Sequence, residues 1–101
     1  MQNEKSQLLQ IVYPKLFLFV IFMKLNIISL KKIEYGGDAV SVNIKTTSGE
    51  ITVLDNHRPL VTQLSSGIAV VTKEDGEKIN FQITSGFLEV GENNQVSILV
   101  G

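Results

Sequence analysis

The only histidine and the only arginine of the chain are adjacent in VLDNHRPLVTQL, Val53 to Leu64, and this is where chemistry would be sought first. Histidine is the residue type that serves as a base at neutral pH, and His57 is the only one available. Nucleophilic catalysis would need it between a nucleophile and a group that orients the ring. Asp55 could orient it and Ser65 or Ser66 could bring a hydroxyl, but residues this close in sequence converge awkwardly on triad geometry. A zinc site would need further ligands at fixed spacing, and a lone His among scattered carboxylates does not provide them. The simpler role is a turn histidine whose ring hydrogen-bonds backbone while Pro59 fixes the exit into the next strand.

Two other groupings fare no better. The glycines of YGGD and SSG lack both the GxxxxGK[ST] spacing and a following helix that could hold an anion. Glu74, Asp75 and Glu77 fall on a hairpin tip, where solvated carboxylates are ordinary. No catalytic, cofactor-binding or metal-binding residue is expected.

The elements that would position such residues follow from length and pattern. With 101 residues there is room for one domain. A net charge of -1 lacks the basic excess that binding many nucleic-acid phosphates requires. The absence of cysteine leaves packing as the source of stability. Residues 1–22 form a distinct apolar N-terminal extension. Their run from Leu16 to Met23 is shorter than the roughly 20 residues of a membrane-spanning helix. Glu4 dilutes a basic n-region and no small-residue cleavage site follows, which argues against a signal peptide. The segment is expected to be either an accessory piece packed on the domain or an extension upstream of a start at Met23.

From Lys24 onward the periodicity is that of strands. DAVSVNIKT sets Val40, Val42 and Ile44 against Ser41, Asn43 and Lys45, the alternation of a half-buried strand. EITVL points Ile51 and Val53 inward, and KINFQIT does the same with Ile79, Phe81 and Ile83. GIAVVT, with Ile68 and Val70 taken as core, and QVSILV, with Val96 and Ile98, complete the pattern. Leu25, Ile27, Leu60, Leu64, Phe87, Leu88 and Val90 join the expected core. Turns are expected at YGGD, TTSGE, KEDGEK and GENNQ. The fold class is all-β, a small antiparallel sandwich or flattened barrel of about eight to ten short strands. Phe87 and Leu88 are adjacent and must point to opposite faces, so one of them is available to a partner.

SGEITVLDNHRPLVTQL and TSGFLEV, in this order and spacing, carry a resemblance. From Met23 to Gly101 the chain resembles the N-terminal β-sandwich domain of the epsilon subunit of rotary, proton-translocating ATP synthases, called delta in mitochondria. Asp55-Asn56-His57-Arg58-Pro59-Leu60 stands where the family commonly has Pro-Gly-His-Ala-Pro-Leu. Thr84-Ser85-Gly86 replaces a frequent Ser-Gly-Gly, and Leu30 a frequent proline. Asn and Asp are tolerated in such turns. Family members usually continue into a two-helix hairpin, which the sequence up to Gly101 does not contain.

The resemblance implies a non-catalytic central-stalk subunit without cofactors. It would couple c-ring rotation through the gamma subunit to ATP synthesis in the catalytic head. Its partners would be gamma and the c-ring subunits, in a heteromer held peripherally at the cytoplasmic face of the cell membrane. It further implies that Thr47, Ser48, Gly49, Glu50, His57 and Arg58 lie at one end and meet the c ring and gamma, with Glu50 and Arg58 as polar rim contacts. The alternative class is a stand-alone β-sandwich adaptor; a small cupin-like enzyme would need the clustered metal ligands that are lacking.

Overall fold

Alternation in β3 (Ser41–Thr46) is the local seed of the fold: Val42, Ile44 and Thr46 are buried while the residues between them are not. A computed structural model describes residues 22–101. Their regular elements are nine strands: β1 (Met23–Ser29), β2 (Ile33–Ala39), β3, β4 (Gly49–Leu54), β5 (Leu60–Leu64), β6 (Gly67–Thr72), β7 (Lys78–Ile83), β8 (Gly86–Val90) and β9 (Gln95–Val100). The expected N-terminal extension lies outside the described residues apart from Phe22, which is half-buried just before β1. Met23 belongs to the domain proper, being buried opposite Ala39 in the β1–β2 ladder.

The strands run in the order β2-β1-β9-β8-β5-β3-β6-β7, with β4 on the other side of β3. β5 and β3 meet at one pair, Thr46 and Leu64, and there the sheet folds over through Ser65 and Ser66. Two layers result, β2-β1-β9-β8-β5 and β4-β3-β6-β7. Leu25, Ile27, Leu88 and Ile98 from the first pack with Val42, Ile44, Val53 and Val71 from the second in one hydrophobic cluster. This is the expected all-β sandwich. One pairing in it is parallel: β1 lies alongside β9, so the first and last strands are neighbours.

Several local expectations are corrected by register. YGGD is not a turn but the middle of β2. Gly36 and Gly37 are not among the residues at positive φ, so nothing there breaks the extended backbone. The reversal comes earlier, where the Ser29 hydroxyl accepts from the amides of Lys31 (3.3 Å) and Lys32 (3.2 Å). In β6 the faces are inverted. Val71 stands opposite Val42 and shares its buried face, so Ala69 and Val71 are inside while Ile68 is exposed and Val70 half-buried. Val40 falls on the bend before β3 and is half-buried; the buried position there is Ala39. Of the adjacent pair, Leu88 is inside and Phe87 outside.

Phe81 points inward as expected but is only half-buried, edge-on to Tyr35 with ring centroids 5.9 Å apart. Tyr35 donates its hydroxyl proton to the Asp38 carbonyl at 2.9 Å, and burial pushes the phenol above its ordinary pKa. Replacing Phe81 by alanine is therefore expected to lower stability by about 1.5–3 kcal/mol, less than for a fully enclosed ring. Urea titration would measure it, and a loss above about 4 kcal/mol would mean the ring is enclosed after all.

Candidate partner interface

The β3–β4 turn is built around Thr46, whose side chain is buried and satisfied within the turn. Its hydroxyl donates to the Gly49 carbonyl at 2.7 Å and accepts from the Ser48 amide at 3.1 Å. Gly49 has φ +124 with open space around it, so the backbone and not crowding calls for glycine. The Thr47 amide donates to the Gln63 carbonyl at 3.0 Å, which ties the turn to β5. Thr47, Ser48, Gly49 and Glu50 are all exposed. The Glu50 carboxylate accepts from the Asn43 side-chain amide at 3.3 Å, and the same amide donates to the Thr52 hydroxyl at 3.0 Å. That orders the outer face of the hairpin.

The second predicted group follows β4. The amide of His57 donates to the Leu54 carbonyl at 3.2 Å, closing a turn in which Asn56 takes φ +59. The amide of Asn56 donates to the side-chain oxygen of Asn94 at 2.6 Å. His57 Nδ1 lies 2.8 Å from the Arg58 carbonyl. A carbonyl only accepts, so Nδ1 carries the proton and a neutral ring leaves Nε2 as an acceptor. This is the turn histidine the sequence suggested. Ser65 is engaged elsewhere, donating to the Thr46 carbonyl at 3.3 Å, so the structure does not bring the elements of a triad together.

The two groups do not share one end of the sandwich. Gly49 opens β4 opposite Thr46, and Leu54 closes it opposite Ser41. A strand of this length puts the Thr47 turn and the His57 loop about 17–20 Å apart. Thr47, Ser48, Gly49 and Glu50 form one group, and His57 and Arg58 a separate one.

A third feature was only hinted at by the Phe87–Leu88 adjacency. On the outer face of the five-stranded layer, Phe87 is 53% exposed and Leu99, its cross-strand partner, 48%. Ile28 pairs with Leu99 from the other side and is also exposed, and Val61 lies nearby on β5. Leu30, on the β1–β2 turn, is 98% exposed. Gln63 stands opposite Phe87 and holds Thr47 through its carbonyl, which joins this apolar row to the β3–β4 turn. Sequence periodicity could not find the row, because it assembles residues from four strands.

Comparison with known proteins agrees with this architecture. Residues 22–101 match the family model described as the ATP synthase delta/epsilon chain β-sandwich domain. The ATP synthase epsilon chain of Corynebacterium aurimucosum is 38% identical over 69 residues, covering 67% of this chain and 57% of that protein. The epsilon chain of Thermosynechococcus vestitus is 37% identical over 78 residues, covering 77% of this chain and 55% of that one. The chain thus spans little more than half the length of these relatives. A chain of the cryo-EM structure of the Euglena gracilis mitochondrial ATP synthase, OSCP/F1/c-ring, superposes with a TM-score of 0.75 at 29% identity, covering 78% of this chain and 50% of that chain. With the family model matched over residues 22–101, relatives more than 30% identical over two thirds of the chain or more, and a matched fold, the chain belongs to the ATP synthase delta/epsilon chain β-sandwich family.

Proposed function

We propose that this domain is a non-catalytic part of the central stalk of a proton-translocating ATP synthase, where it joins the gamma subunit to the c ring. Torque passes through such a joint only if the part is stiff and held at more than one surface. A close-packed sandwich provides the stiffness. The observation that carries the reading is the contiguous row of Phe87, Leu99 and Ile28. Exposed apolar side chains side by side on a rigid face mark a protein contact. Gamma is the partner assigned to this row. The Thr47–Glu50 turn and the His57–Arg58 loop are assigned to polar contacts with the c ring and gamma, setting fit more than affinity. The complex holds the domain peripherally at the membrane, on its cytoplasmic face.

The test is co-purification of the full chain with gamma from the same organism, alone and with the c ring. The wild type is expected to form a one-to-one complex with gamma on size exclusion. Phe87→Glu is expected to weaken it by about 30-fold or more, the size of an interface hot spot, while leaving the fold intact. A complex unaffected by the charge would place gamma on another face. A folded wild type that ignores gamma would favour a stand-alone adaptor.

A further inference from the structure

We infer that Asn94 is a positioning residue for the His57 loop, clasping it from the neighbouring turn so that His57 and Arg58 face a partner in one arrangement. The β8–β9 turn carries Asn93 at φ +60 and Asn94 at φ +58, closed by the Gln95 amide on the Glu92 carbonyl at 3.4 Å. Two successive left-handed residues make a type I′ hairpin turn, whose second central position suits glycine best. Asparagine is there instead, at some cost in backbone freedom, and its side chain is in use. The Oδ1 atom accepts the Asn56 amide at 2.6 Å across 38 positions of sequence. The carbonyl of the same residue accepts the Lys24 amide at 2.8 Å, at the start of β1. One residue therefore links the first strand, the last hairpin and the loop between β4 and β5.

Asn56 is exposed, so water can replace Asn94 on its amide. Breaking the clasp should leave the fold almost unchanged and loosen the loop. Asn56 directly precedes His57, whose amide closes the turn onto Leu54 and whose ring is bonded to Arg58. Freeing Asn56 lets the turn and the ring sample other arrangements, and a partner must then select one of them.

Two variants separate positioning from structure. Asn94→Gly keeps the left-handed backbone and the carbonyl that serves Lys24 while removing only the side-chain acceptor. Asn94→Asp keeps an acceptor at the same place. In the full chain, hydrogen exchange of the Asn56 amide is expected to quicken about fivefold in Asn94→Gly and to return toward the wild-type rate in Asn94→Asp, with core amides unchanged in both. Affinity for the gamma and c-ring complex is expected to fall about fivefold in Asn94→Gly and recover in Asn94→Asp; this arm rests on the stalk reading. An Asn56 amide that exchanges alike in all three proteins overturns the inference, as does a loosened loop that leaves partner affinity untouched. If the wild type binds neither partner, the stalk reading fails, and the exchange rates alone still decide whether Asn94 orders the loop.

Discussion

Leu88→Ala is expected to remove about 3–5 kcal/mol of stability, whereas Phe87→Ala next to it should cost less than about 1 kcal/mol. Leu88 is 0% exposed, at the centre of β8, with Thr62 of β5 on one side and Ile98 of β9 on the other. Both neighbouring strands are paired across β8, so the space vacated by three carbons cannot close without disturbing two ladders. A domain of this size has only about 5–15 kcal/mol in total, so the Leu88 variant should be substantially unfolded at modest urea. The midpoint should fall with an unchanged denaturant slope, as expected for a cavity in an otherwise intact fold. Phe87 faces outward and loses little packing, so its truncation should register in partner binding instead. Equal losses at the two positions would mean that β8 is covered on both faces.

Gly86→Ala is the second large effect. Gly86 opens β8 at φ +148, paired with Leu64 on one side and Val100 on the other. A Cβ placed there would overlap the Leu99 carbonyl oxygen, which is backbone and cannot swing aside as a side chain would. Left-handed strain and overpacking each cost about 1–3 kcal/mol, so a total near 3 kcal/mol or more is expected. In a domain this small that corresponds to a melting temperature lower by about 12 °C or more. Gly76, at φ +89 on the β6–β7 hairpin with nothing within 4 Å, is the matched control, since alanine there meets strain without crowding. A Gly86 variant that melts with the Gly76 variant would show that β8 and β9 do not approach this closely.

The sequence was sufficient for the fold class and most of the strands, because alternation in VSVNIKT and INFQI is a property of consecutive residues. It was sufficient for the role of His57 as a turn residue bonded to backbone, since Pro59 and the neighbouring Asn and Asp are local signals. The resemblance carried by DNHRPL and GFLEV led to the family. The resemblance put the Thr47 turn and the His57 loop at one end, whereas in the structure β4 runs between them and holds them apart. Only the tertiary structure decided which face of GIAVVT is inside. Both faces of that strand are apolar, and the choice comes from Val71 lying opposite Val42. It likewise decided that Gly36 and Gly37 continue a strand, that β1 pairs with β9, and that Asn94 reaches Asn56. Each of these depends on a partner far away in the chain. Periodicity describes one strand at a time, whereas register and cross-strand contact are properties of two.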